Sequence, residues 1–315
     1  MTDVMTTILP AGLRVAVRVP ASSANLGPGF DCLGLALGIY DDVTVTTVDE
    51  PGVRLTVTGE GADSVPLDET HLVAQAITRG LAHAGAAAAG LQIDCVNAIP
   101  HSRGVGSSAS AAVSGLVAAS GLLGAAAEII GTQALSDDEL VQLSAEFEGH
   151  PDNAAASVLG GAVVTWTDGE GEGARYSARR LQVDPRIRAT AFIAHAESST
   201  SQTRRLLPDE VPRCDAVFNL SRTAVAVLAL TREPDLLLAA TEDRLHQGYR
   251  ADSMAPSAEL VAQLRAAGYA ATISGAGPTV LVLHTADIPA SAVDAPSFTM
   301  VETAISDGPT VVDAR

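Results

Sequence analysis

A chain of 315 residues with 47% hydrophobic composition is long enough to bury a large core, as one large domain or two joined ones. Its formal net charge of −18 argues against nonspecific nucleic-acid binding and against an anionic membrane surface, since both need clustered cations. All 19 basic residues counted as Lys plus Arg are arginine, which excludes a lysine-bearing phosphate loop of the G-x-x-x-x-G-K-S/T type, a kinase-type catalytic lysine and Schiff-base chemistry.

Along the chain, residues 14–19 alternate as a strand, and residues 43–48 and 53–58 repeat the period of two with Asp49-Glu50-Pro51-Gly52 between them, which predicts a hairpin. Residues 70–84 carry helical spacing from a threonine start to Gly85, and residues 91–96 form a short strand. Then comes Ile99-Pro100-His101-Ser102-Arg103-Gly104-Val105-Gly106-Ser107-Ser108-Ala109-Ser110. Two glycines one residue apart let the backbone turn and aim several N–H groups at one point, and the helix that follows, 107–123, adds its unpaired donors and positive dipole end. The segment reads as a phosphate-binding loop. Ser107 and Ser108 are candidate caps, and one of their hydroxyls is placed to reach a phosphate-bound Mg²⁺.

No charge occurs from residue 104 to 127, long enough to span a bilayer, but its glycines and serines suit a buried helix packed closely on a sheet. Ser136-Asp137-Asp138-Glu139 begins a second helix with a capping box, ending near Glu148 before the break Gly149-His150-Pro151-Asp152-Asn153. A strand follows over 162–166, an exposed acidic loop over 168–173, and a strand over 187–194. Helices are predicted over 200–207, 215–231, 235–241 and 256–267, and strands over 269–273 and 280–284 flank Ser274-Gly275-Ala276-Gly277-Pro278-Thr279. The C-terminal part has strand-like patches at 298–304 and 310–312 and no assigned chemistry. The fold class is α+β, with a soft boundary near 185 and one cleft shared by the halves 1–185 and 186–315. Three scattered cysteines, Cys32, Cys95 and Cys214, show no metal-ligand spacing and do not suit a disulfide framework. The first twelve residues lack a basic stretch ahead of an apolar one, so a cytoplasmic location is expected.

Pro20-Ala21-Ser22-Ser23-Ala24-Asn25-Leu26-Gly27-Pro28-Gly29-Phe30-Asp31, the glycine loop, Glu148-Gly149-His150-Pro151-Asp152-Asn153 and the turn 274–279, in that order, resemble the GHMP small-molecule kinases. The wording of the first and third, with Leu245-His246-Gln247-Gly248-Tyr249-Arg250, is similar to the homoserine kinases within that superfamily. The resemblance covers about residues 14–284, with Val105 where leucine is commoner. It implies the GHMP kinase fold: an N-terminal mixed-sheet domain bearing the phosphate loop, and a C-terminal α/β sandwich domain. It also implies transfer of the γ-phosphoryl group of ATP to L-homoserine, with Mg²⁺, as a step of threonine biosynthesis. A homodimer is implied by resemblance alone.

An ammonium, a carboxylate and a primary alcohol require an anion, at least one arginine and an open path to phosphate. The resemblance assigns Asp31 to the ammonium with Asn25 beside it, and Arg204 and Arg250 to the carboxylate, where bidentate guanidinium geometry suits the task. Thr200 lies one helical turn before Arg204; Arg205 receives no role. Alone, Asp31 would read as a turn residue and His150 as a hydrogen-bonded structural histidine; their motif positions make them candidates. Pro100, Arg103, Gly104, Val105, Gly106, Ser107, Ser108, Ala109 and Ser110 are assigned to ATP, and Ser108 and Glu148 to the metal, Glu148 being favoured over Glu146. The turn 274–279 braces the loop. His150, Asn153 and Arg204 are the catalytic candidates. Because Asn153 stands where some relatives place an aspartate base, no dedicated side-chain base is expected, with Asp152 as the competing candidate. The alternatives are another GHMP kinase, acting on mevalonate, shikimate or a sugar, and an inactive ligand sensor on the same fold.

Overall fold

Alternating apolar residues build most of the first third, and the computed structural model, which describes residues 6–288 and 294–315, sets them in one large sheet. The chain runs β1 (Thr7–Leu9), β2 (Arg14–Ala24), β3 (Leu33–Val48), β4 (Gly52–Gly59), α1 (Leu72–His83), β5 (Ala86–Ala88) and β6 (Gly90–Asn97). After the glycine loop come α2 (Ser107–Ile130), α3 (Asp137–Glu148), α4 (Asp152–Leu159), β7 (Ala162–Asp168), β8 (Arg175–Leu181) and β9 (Arg188–Ala194). The remainder holds α5 (Thr200–Arg204), α6 (Arg213–Thr231), α7 (Leu237–Ala240), α8 (Gln247–Arg250), α9 (Ala255–Ala266), β10 (Ala270–Ile273), β11 (Val280–His284), β12 (Phe298–Thr303) and β13 (Thr310–Ala314).

The sheet order is β13-β2-β3-β6-β4, with β7 pairing the start of β3 and β8 pairing β7. The expected hairpin of residues 43–58 is therefore absent. β6 lies between its two arms, antiparallel to β3 and parallel to β4, and Gly90 is the register partner of both Val48 and Gly52. A Cβ on Gly90 would stand 1.9 Å from the Glu50 carbonyl oxygen, so glycine is what lets the connection cross the start of β6. Alternation and turn residues identify the two arms but not a third strand entering between them.

The charge-free stretch becomes α2, long and apolar enough to cross a bilayer by length and composition, yet Val113, Leu116, Leu122 and Leu123 are fully buried in the core with Val15, Ile77 and Ile93. Its small residues explain the close approach: a Cβ on Gly115 would lie 2.5 Å from the Val73 carbonyl oxygen of α1. The capping box at Ser136 forms as predicted, Glu139 accepting from the Ser136 N–H at 2.8 Å. By contrast, α1 is capped by His71, whose Nδ1 accepts from the Val73 N–H at 3.2 Å, and not by Thr70, which turns onto Asp68.

The second sheet has the order β10-β11-β9-β12. The predicted helices at 200–207 and 235–241 shrink to α5 and α7, the latter preceded by a single 3-10 turn, and β8 and α8 are elements the periodicity did not reveal. β13, from the far end of the chain, pairs β2 in the first sheet. A core cluster containing Leu33, Leu35 and Leu37 of one sheet and Ala189, Leu281 and Leu230 of the other half joins the two layers. That shared core fixes the walls of the cleft.

Candidate active site

Five loops meet where the sheets join, around a cavity of about 260 Å³. The first is the turn between β2 and β3, held by left-handed residues: Asn25, Leu26 and Asp31 have φ of 71°, 47° and 55°. The Asn25 side chain locks it, accepting from the Asp31 N–H at 3.1 Å and donating to the Gly275 carbonyl at 2.9 Å. Both ends of its amide are thus engaged by backbone, which fixes the turn, and the residue itself lines the cavity.

In the glycine loop, Gly104 and Gly106 have φ of 76° and 71°. A Cβ on Gly104 would meet the Ser274 carbonyl oxygen at 2.5 Å, and Ser274 Oγ donates to the Gly104 carbonyl at 2.6 Å. The second glycine turn braces the first, as expected from sequence. Gly106 itself occupies the cap position of α2, and no side chain among the described residues caps that helix. The expectation that Ser107 or Ser108 caps it therefore fails, which leaves first-turn N–H groups free for an anion. Ser107 and Ser108 line the cavity.

Arg103, also assigned to the nucleotide, lines the cavity as well, but its guanidinium is engaged by backbone. Arg103 Nε donates to the Ala194 carbonyl at 3.0 Å and its Nη1 to the His101 carbonyl at 2.8 Å, so this guanidinium stitches the loop to the end of β9. Val105, Ala109 and Ser110 are buried away from the cleft, Val105 within the core cluster shared by the two layers. Pro100 does not line the cavity. The left-handed glycines and the helical turn rotate the Val105, Ala109 and Ser110 side chains inward.

Ser108 Oγ donates to Glu148 Oε1 at 2.6 Å, bringing a hydroxyl and a carboxylate from two elements together at the loop. Glu146 instead pairs with Arg79 at 2.9 Å on the outer face of α3. The Ser108 and Glu148 oxygens form a hard donor set that fits Mg²⁺.

His150 Nδ1 donates to Asp152 Oδ1 at 2.8 Å, and the same oxygen accepts from the Asn153 N–H. Burial lowers the His150 pKa, but the hydrogen bond and charge of Asp152, with Asp31 adding, outweigh it and hold this imidazole above the usual value. Asn153 Oδ1 accepts from Ser22 Oγ at 3.1 Å, and its amide nitrogen has no hydrogen-bond partner among the described residues.

On the opposite wall, Arg204 makes a two-pronged ion pair with Asp31, both contacts at 2.8 Å. Thr200 opens α5, and its side chain lies outside the described residues. Arg250 is 2% exposed and has no carboxylate within 4 Å among the described residues. Its Nε donates to the Thr203 carbonyl at 3.3 Å and its Nη1 to His246 Nδ1 at 3.4 Å. Burial, then the neighbouring Arg204 charge, push its pKa below the ordinary arginine value. Both guanidinium carbons stand over the Phe30 ring, at 5.3 Å for Arg204 and 5.6 Å for Arg250. Phe30, Ser22 and His246 are contributors that sequence reasoning passed over. An aromatic within a Gly/Pro turn was the available signal for Phe30.

His246 is fully buried, its Nε2 donating to the Gly27 carbonyl at 2.7 Å while Nδ1 accepts from Arg250, so the ring is neutral. Burial lowers its pKa, as it does for His71 and His284. As pH falls through the unfolded-chain value of about 6.5, the unfolded state takes up protons that these three native rings refuse, and stability falls. His150 has the opposite sign, contributing stability below 6.5 that is lost as pH rises through its elevated folded value. With three rings against one, thermal unfolding monitored at constant ionic strength should show a lower Tm at pH 5.5 than at pH 7.5. An unchanged or higher Tm at pH 5.5 contradicts this balance.

The GHMP kinases N terminal domain model matches residues 71–161, and the GHMP kinases C terminal model matches residues 226–300. A homoserine kinase of Rhodococcus erythropolis is 58% identical over 310 residues, spanning 96% of this chain and 98% of the relative. The chain belongs to the GHMP kinase family, among its homoserine kinases. A homoserine kinase of Mycobacterium tuberculosis is 52% identical over 95% of each chain. The crystal structure of homoserine kinase from Cytophaga hutchinsonii superposes with a TM-score of 0.81 at 25% identity, covering 95% of this chain and 97% of that one. A mevalonate kinase structure, with a TM-score of 0.65 at 14% identity, shares the fold alone. In this GHMP kinase the two matched segments hold the phosphate loop and its brace. The Asn25 to Asp31 turn lies outside them, within the span shared with the homoserine kinases.

Proposed function

We propose that the cleft transfers the γ-phosphoryl group of ATP to the side-chain hydroxyl of L-homoserine, giving O-phospho-L-homoserine and ADP. The observation that carries this reading is the pairing, in one cavity, of the Ser108 and Glu148 oxygens beside free helix donors with Asp31, Arg204 and Arg250 on the other wall. Residues 1–185 supply the phosphate and metal groups, and residues 186–315 supply the arginines.

Backbone N–H groups of the glycine loop and the first turn of α2 hold the phosphates. Ser108 and Glu148 hold Mg²⁺, whose charge offsets that of the phosphate oxygens. An adjoining hollow of about 290 Å³ beyond Ser107 and Ser108, bordered by Val43, Pro66, His71 and Ser114, suits the nucleoside; Ser114 Oγ is buried there with no hydrogen-bond partner among the described residues. Arg250 and Arg204 take the amino-acid carboxylate and Asp31 the ammonium. His150 and the free amide nitrogen of Asn153 orient the hydroxyl, and its proton leaves to phosphate or water. Positioning and charge stabilisation carry the rate, because phosphoryl transfer leaves little covalent work for side chains. A homodimer is the assembly we infer, and the exposed Val217, Leu220 and Leu228 on α6 support it.

Base-free transfer gives Asp152→Asn a defined outcome. Asparagine keeps an acceptor for the His150 Nδ1–H, so kcat should stay within about tenfold of the parent, whereas losing a general base costs roughly 10²–10⁴. A larger loss at unchanged KM and Tm would make Asp152 the base.

The function itself is tested by ADP release with ATP and Mg²⁺ across L-homoserine, mevalonate, shikimate and galactose, with the product mass measured. Selective turnover of L-homoserine is expected. Preference for another panel member overturns the amino-acid pocket, and nucleotide binding without turnover of any member overturns the kinase reading.

A further inference from the structure

Asp31 and Arg204, the two groups with which this reading meets the ammonium and the carboxylate, are bound to one another. The contact is bidentate at 2.8 Å for both prongs, and it spans 173 residues of chain between the β2–β3 turn and the last residue of α5. Each member is anchored: the Asp31 N–H is held by Asn25, and the Arg204 guanidinium lies over Phe30. Arg250, a few ångströms beyond the same ring, stays without a carboxylate partner among the described residues.

Resting on that reading, we propose that the Asp31–Arg204 pair is a specificity device: it is exchanged for a zwitterion, so that the ammonium and carboxylate of the substrate are selected jointly and not as two independent contacts. An α-amino acid inserts its two opposite charges between the partners, and every charge in the opened cleft again faces its opposite. A ligand with a carboxylate alone must take Arg204 away from Asp31, which then has only the His150 ring to share with Asp152, the three side chains lying within 4.8 Å of one another. A ligand with an ammonium alone leaves Arg204 bare beside Arg250, and like charges in a half-buried cleft are costly. Each single-charge ligand therefore competes with a residue of the protein itself.

The reciprocity is measurable by titration calorimetry with L-homoserine, 4-hydroxybutanoate (carboxylate only) and homoserinol (ammonium only). The chains compared are wild type, Asp31→Asn, Arg204→Gln and the double variant. Asn tolerates the left-handed backbone at 31, and residue 204 is partly exposed, so both single variants should fold; two independent arms guard against failure of either. Freeing Arg204 by Asp31→Asn should tighten 4-hydroxybutanoate by about fivefold, the scale of a partly exposed ion pair. The gain should vanish when Arg204→Gln is already present. Arg204→Gln should tighten homoserinol similarly, and only while Asp31 remains. L-Homoserine should bind wild type best. Equal gains with and without the partner residue would mean simple charge repulsion and would overturn the proposal, as would no gain at all. Turnover of L-homoserine by wild type without this reciprocity removes the exchange and leaves the function standing; absence of L-homoserine binding removes both.

Discussion

Glu148→Gln should lower kcat by roughly 10²–10³, the range seen when one preorganised stabiliser of transition-state charge is lost, while Tm stays within a few degrees. Gln is the same shape and retains an acceptor for the Ser108 hydroxyl, so the loop contact at 2.6 Å can persist. What disappears is the negative charge that makes this oxygen a ligand for a divalent cation. Raising Mg²⁺ should restore part of the rate if affinity is the main loss. Glu146→Gln is the control. Among the described residues Glu146 pairs with Arg79 and Gln142 alone, on the outer face of α3, and removing it should leave kcat within about twofold, since exposed pairs contribute at most about 1 kcal/mol. Equal losses at both positions would contradict the assignment of Glu148; steady-state kinetics over a Mg²⁺ series makes the comparison.

Arg250→Met should raise the KM for L-homoserine by about 10², because a charge-assisted hydrogen bond to a carboxylate is worth about 1.5–3 kcal/mol. The same substitution should not destabilise the chain appreciably. Arg250 is 2% exposed with no carboxylate partner among the described residues, and methionine, apolar and unbranched though shorter, removes a buried charge that folding must desolvate. Its remaining contacts, to the Thr203 carbonyl and His246 Nδ1, are long at 3.3 and 3.4 Å. Higher KM with equal or higher Tm is the signature of a residue kept for its ligand. A fall in Tm of ten degrees with KM unchanged would instead make Arg250 a structural ion, and thermal melts beside kinetics in L-homoserine separate the two.

Residue chemistry that depends on short stretches of chain was legible in the sequence. The paired glycines at 104 and 106 and the capping box at Ser136 act through neighbouring backbone, and each stands where the pattern implies; the brace at 274–279 reaches Gly104 across 170 residues and was read from family resemblance. Sheet order was not legible: β6 enters between β3 and β4 from forty residues downstream, admitted by the missing side chain of Gly90. Side-chain direction was the other blind spot. Arg103 sits in the loop yet serves the Ala194 carbonyl across the layer, and Asn25 spends its amide on backbone. Motif adjacency names the residues near a ligand, whereas backbone rotation and the competition of carbonyls for donors decide which of them face it. The Asp31–Arg204 contact belongs to the same class, since nothing local to either residue announces its partner.

A crystal structure with L-homoserine, Mg²⁺ and a non-hydrolysable ATP analogue tests the central claim most directly, because it fixes phosphate, metal and amino acid at once. The phosphates are expected on the N–H groups of the glycine loop and α2, the cation on Ser108 and Glu148, and the carboxylate on Arg204 and Arg250. Asp31 is expected to be released to the ammonium, with the substrate hydroxyl facing the γ-phosphate. An amino acid seated elsewhere, such as the cavity of about 680 Å³ bordered by Arg180, Asp184 and Arg188, or a cation away from Glu148, would contradict that claim.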